Sequence, residues 1–124
     1  MNREEVKINL DKLELELAVI PEQIYDTMYE IFNYQGQLKE TEQEIEDYSG
    51  TLSNKITLNP EKYGFPIGTA VERFKVKACI MADKKYQKLN SLKINLELKI
   101  KKLNIDLEAL KAKKEILECL IKSR

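Results

Sequence analysis

The sequence predicts an all-α protein in which a helical hairpin precedes a long, coiled-coil-like C-terminal helical region, and copies of the chain associate. Three observations predict it. Apolar residues return at alternating spacings of four and three, or at strict sevens, over most of the chain. Lys, Arg, Asp and Glu make up 34% of the residues, so the apolar lines are stripes on charged helices and not membrane spans. Three of the four glycines and two of the three prolines fall between Ser49 and Gly68, which marks one long connection.

The first helix is read from Val6, Leu10, Leu13, Leu17 and Ile20. Leu13, Leu15, Leu17 and Val19 also alternate as a strand would, but Leu and Glu are good helix formers and poor strand formers, so helix is favoured. Pro21 restricts Ile20 to extended geometry and suits the first position of a new helix, so a break is expected there. The second helix, about Pro21 to Tyr48, carries Ile24, Ile31, Leu38 and Ile45 every seven residues, with Met28 and Phe32 beside them. Its last turns hold five acids between Glu40 and Asp47, where the helix dipole prefers cations; that end frays or meets a basic partner. Ser49-Gly50 is expected to stop it. A loop over residues 49–68 follows, with Tyr63, Phe65 and Ile67 either pinned to the helices or offered to a ligand.

The third region, about Thr69 to Lys122, has Leu89, Leu96, Leu103, Leu110 and Leu117 at strict sevens. Such a zipper-like line is assigned to oligomerisation. Ile100, Leu107 and Ile121 widen it, while Leu98, Ile105, Ala112 and Cys119 form a second line on another face. One helix therefore has two faces to bury. Continuous, it would be ~80 Å long, against a radius of gyration of ~14 Å for a compact chain of this size. A break is expected at Ala82-Asp83, where Asp83 caps a new start, together with burial against neighbouring copies.

At 124 residues the chain is expected to be one helical domain: acidic helices over 1–48, the loop over 49–68, and a basic region over 69–124. Cys79 and Cys119 lie in helical patterns and read as core residues of a reduced compartment. The first residues lack the features of a secretory signal, so a cytoplasmic location is expected. Net charge is zero, but residues 1–70 hold 6 basic and 14 acidic side chains, and residues 71–124 hold 15 and 7. That asymmetry of −8 against +8 suggests a basic surface facing a polyanion, or halves that dock on each other within or between protomers.

Catalysis is not expected. There is no histidine, the cysteines stand forty residues apart, and the glycines of 64–68 lack the Gly-Lys-Ser/Thr ending of a phosphate loop, so neither metal nor cofactor is implied. Acid pairs such as Glu14/Glu16 and Glu44/Glu46 fit a solvated helix face. The basic residues are more informative: Arg73, Lys75, Lys77, Lys84, Lys85 and Lys88 surround Phe74 and Tyr86. Cations supply charge for phosphates and rings supply stacking for bases, as single-stranded nucleic acid requires. The competing reading is a solubilising lysine face with Phe74 and Tyr86 in the core. Lys99, Lys101, Lys102, Lys111, Lys113 and Lys114 fit the polar side of the zipper.

A glutamate-rich helical first half, Tyr48-Ser49-Gly50, a loop, then Lys77, Ile80, Ala82-Asp83-Lys84 and Lys88 ahead of a helix to the C-terminus give the chain a resemblance to the UvsY family of phage recombination mediators. The resemblance covers most of the chain, on short motifs. It implies an oligomeric, ring-like helical protein in the host cytoplasm, without catalytic activity. Such a protein binds single-stranded DNA and helps a recombinase replace single-strand-binding protein. The stretch before Tyr-Ser-Gly is basic in the familiar member and contributes to DNA binding there, whereas here it holds Glu42, Glu44 and Glu46. DNA binding would then move to the third helical region. Two other functions fit the residues: a structural coiled-coil assembly protein whose opposed halves neutralise each other, and a small phage-encoded inhibitor that docks its acidic helix on a host protein.

Overall fold

A computed structural model describes residues 3–123 apart from residues 67 and 69, with side chains from residue 9 onward. Ile67, the expected helix start at Thr69 and the Val6 side chain lie outside the described residues. The elements are α1 (Arg3–Leu58), a 3-10 turn (Pro60–Tyr63), α2 (Arg73–Ala82) and α3 (Lys84–Lys122), with no strand among the described residues. The all-α expectation holds. No described helix is long and apolar enough to cross a membrane.

The expected N-terminal hairpin does not form, because α1 runs unbroken through Pro21. Proline inside a helix removes one hydrogen bond and crowds the preceding turn, at about 3 kcal/mol. Against it stand Ile20, fully buried, and Ile31, nearly so, each contributing about 1.5–3 kcal/mol by leaving water. Pro21 itself is exposed, so the distorted turn opens onto solvent.

The helix also passes through Ser49-Gly50, and the connection begins at residue 59, not 49. A helical glycine costs about 1 kcal/mol, less than the burial of Leu52 and Ile56 just beyond it contributes. The acids of Glu40–Asp47 consequently lie well inside the helix, where the C-terminal dipole does not act on them.

Covered positions on α1 step by three and four from Leu10 to Leu52. Within that seam Ile24, Ile31, Leu38, Ile45 and Leu52 alternate with Thr27, Tyr34, Thr41 and Tyr48. The two threonines return their hydroxyls to carbonyls one turn back, Thr27 to Gln23 at 2.8 Å and Thr41 to Gln37 at 2.9 Å, so they enter the seam satisfied. Because Thr27 and Tyr34 hold the seam, Met28 and Phe32 point outward.

On α3 the covered positions step the same way: Leu96, Leu107 and Leu117 are buried, and Leu89, Ile100, Leu103, Leu110 and Ile121 half-buried. In the connection Gly64 caps the 3-10 turn at φ 85°, and Gly68 has φ 79°, both in the left-handed region that favours glycine. Tyr63 is exposed and Phe65 half-buried.

The chain packs as two compact units. One joins residues 1–34 to residues 99–124; the Lys99 ammonium lies 5.2 Å from the centre of the Tyr34 ring, and Gln23 shares a shallow depression with Ala109 and Leu110. As α1 is followed backwards α3 is followed forwards, so the helices are antiparallel. The other is Gln35–Leu98, in which the end of α1 packs with α2 and the start of α3. Each unit therefore combines acidic N-terminal sequence with basic C-terminal sequence. Docking of the two halves occurs within the protomer. The ion pairs found among the described residues, Lys93–Glu97, Lys111–Glu108 and Lys114–Glu118, nevertheless all lie along α3 itself.

Candidate nucleic-acid interface

Within the unit Gln35–Leu98, α2 carries three cations and no acid. Val76, Cys79 and Ile80 are its half-buried face, and Arg73, Lys75 and Lys77 are exposed, with Phe74 between the first two and an exposed Met81 one turn beyond Lys77. Phe74 is 65% exposed, and the Lys75 ammonium lies 6.0 Å from its ring centre. An aromatic ring left this open on a cationic helix is available to stack on a planar ligand.

The break after α2 falls at Ala82-Asp83 as expected. Asp83 leaves helical geometry, and its Oδ2 accepts from the Tyr86 backbone N–H at 3.0 Å, the bond of a helix N-cap. Gln87 donates its side-chain N–H to the Met81 carbonyl at 3.1 Å, so the end of α2 is also satisfied. The same Asp83 Oδ2 accepts the Tyr48 hydroxyl of α1 at 2.7 Å. These bonds, the Tyr48 hydroxyl first and the Tyr86 N–H second, hold the Asp83 carboxyl below its ordinary range. The bond to Asp83 likewise raises the Tyr48 phenol above its own.

Residue-level reading finds the cap but not this clasp. Its signal is Tyr48 itself, three residues after Ile45 and four before Leu52, where a seam position places a phenol tip that requires a partner.

The eight sequence-selected residues do not form one surface. Arg73, Phe74, Lys75 and Lys77 are exposed on α2, and Lys84 and Lys88 line a shallow groove on α3 with Gln87, Ser91, Leu92 and Asn95. Lys85 turns instead toward α1: its ammonium sits 4.8 Å from the centre of the Tyr48 ring, in a depression lined by Glu44, Asp47 and Thr51. Tyr86 is half-buried, so Phe74 is the more open ring. Lys84 and Lys85 occupy the first turn of α3, where the dipole disfavours cations, and the Asp83 carboxylate at the cap is the acid that offsets it.

No known protein family matches this chain, and no curated protein or solved structure matches it either.

The leucines assigned to oligomerisation stand elsewhere than expected. Leu96 and Leu117 are buried, and Leu89, Leu103 and Leu110 half-buried, by the chain's own helices; their line is the inner seam of the protomer. The second line is the exposed one, and Cys119, expected in the core, lies on it in the open. Sequence reading also missed an outward face on α1 formed by Tyr25, Met28, Tyr29 and Phe32, in which the two tyrosine rings stack at 6.5 Å. Spacings of three and four between these residues place them on one side of the helix, away from the seam.

Proposed function

We propose that the chain is a non-catalytic accessory protein of the phage recombination-mediator type, which self-associates and holds single-stranded DNA along α2 and the first turns of α3. In that role it helps a recombinase replace single-strand-binding protein. The observation that carries the reading is the open Phe74 ring among Arg73, Lys75 and Lys77 on a helix without acids. Lys84 and Lys88, exposed along a shallow groove of α3, add cations on the next helix. The single acid in their midst, Asp83, is engaged by Tyr48 and by the Tyr86 N–H. Self-association multiplies phosphate contacts and steepens the salt dependence. A protein-docking function, as in a host-protein inhibitor, is the second reading, favoured by the exposed Tyr25, Met28, Tyr29 and Phe32 face.

Gel-shift titration with single- and double-stranded DNA over a range of salt tests the proposal. Binding favours single strands, and log affinity falls with log salt at about −0.7 per phosphate neutralised. Changing Lys75, Lys77, Lys84 and Lys88 to Gln flattens the slope, whereas changing Lys111 and Lys122 does little. Phe74→Ala costs about 1–3 kcal/mol with the slope unchanged. Absence of single-strand affinity at ~50 mM salt, where electrostatic binding is strong, overturns the nucleic-acid reading.

A further inference from the structure

About half a turn round α3 from its inner seam runs a second line with the same alternation: Lys102, Ile105, Ala109, Ala112, Ile116 and Cys119. All are exposed, Ile105 at 62% and Ile116 at 59%, since α1 covers the opposite face. A helix with two opposed heptad lines is built to be packed from both sides, and the protomer supplies only one partner.

We propose that the second partner is α3 of another copy, paired in parallel and in register, so that Ile105, Ile116 and Cys119 each face themselves across a two-fold axis. The flanking charges select copy and direction. One flank of the line holds Lys101 and Glu108, the other Asp106 and Lys113, all exposed. In a parallel pair Lys101 meets Asp106 of the second copy and Glu108 meets its Lys113, and symmetry repeats both contacts. In an antiparallel pair with the lines fully overlapped, Glu108 meets Glu115 and Lys101 meets Lys122, while only Asp106 and Lys113 attract. The parallel arrangement has attraction on both flanks. Glu108 already pairs with Lys111 at 3.5 Å, but that contact is exposed and readily exchanged. Ala109 and Ala112 let the backbones approach. Lys102 is the one charged residue on the line, and a lone lysine there fixes register at some cost in stability.

The inference deepens the self-association part of the proposed function and rests on it, so the experiment contains no DNA. The full chain with Cys79→Ser is treated with diamide, which takes two electrons and two protons from a pair of thiols and becomes the hydrazine. The result expected is a covalent dimer that Cys119→Ser abolishes. Moving the thiol, with Ile105→Cys added to Cys79→Ser and Cys119→Ser, restores the cross-link, because a parallel pair brings every position of the line against itself. An antiparallel pair does so at one point only. Ile116→Asp on the exposed face keeps helix content by circular dichroism and sediments as a monomer. Lys102→Leu shifts the equilibrium toward dimer. Wild-type protein that sediments as a monomer at micromolar concentration overturns self-association altogether. A larger species that cross-links at neither position, or at one alone, overturns the parallel seam and leaves self-association standing.

Discussion

The Tyr48 hydroxyl and the Asp83 carboxylate form a bond that needs one proton on the phenol and none on the acid. Asp83 titrates below its ordinary range when folded, so its contribution is fully present above an unfolded value of about 3.9 and is lost as pH falls through the folded one. Tyr48 titrates above its ordinary range; its contribution is present below about pH 10 and is lost as pH rises through the folded value. Tyr48→Phe therefore lowers the thermal midpoint at neutral pH. The gap from wild type narrows on acidification below about pH 4 and again in strong alkali. A gap that stays constant at acid pH would show that the bond does not contribute. The cap at Asp83 was legible because a helix N-cap is a local matter of residue type and spacing. The clasp was not, because it joins residues thirty-five positions apart and depends on how α1 faces the break.

At the scale of the element, two glycines and a proline test how α1 is held. Gly36 and Gly50 are helical, with nothing within 4 Å of where a Cβ would stand. Changing either to Ala stabilises the fold by about 0.5–1 kcal/mol, and Pro21→Ala by up to about 3 kcal/mol, measured by urea unfolding. Destabilisation by Gly50→Ala would place the chain break back at Ser49-Gly50. Helix α3 and the period of the seams on α1 and α3 were legible in the positions of Leu, Ile and Val. The continuity of α1 was not, because Pro21 and Gly50 are local breakers overruled by burial further along. One clue was present: the line Ile24, Ile31, Leu38, Ile45 continues at the same interval to Leu52, past the supposed stop. The leucine line of α3 was read correctly as a seam and misplaced between copies, since a heptad pattern says that a face is covered and not by which helix. Of the candidate residues, Arg73, Phe74, Lys75 and Lys77 are exposed on α2, while Lys85 lies over the Tyr48 ring of α1, a packing that residue types alone do not encode.

For the whole molecule, the division into units sets an order of events. Gln35–Leu98 is one continuous stretch of chain, whereas its companion unit is made from the two chain ends, with all of that stretch between them. Brought together unaided, those ends close a loop of roughly 64 residues, at an entropic cost on the order of 4 kcal/mol before any contact forms. Once Gln35–Leu98 has folded, the ends emerge already neighbouring and the cost is largely met. Folding is thus expected to spread from the middle of the chain to its termini, as in a zipper closed from its base. Pulsed hydrogen exchange during refolding checks this: amides near Ile45, Leu52 and Leu96 gain protection before those near Ile20, Leu107 and Leu117. Native-state exchange then finds the weakest protection toward the two termini, where α1 begins and α3 ends. With the second seam of α3 paired, that last stretch is steadied by another copy, and the slow-exchanging fraction there rises with protein concentration while the middle of the chain stays unchanged.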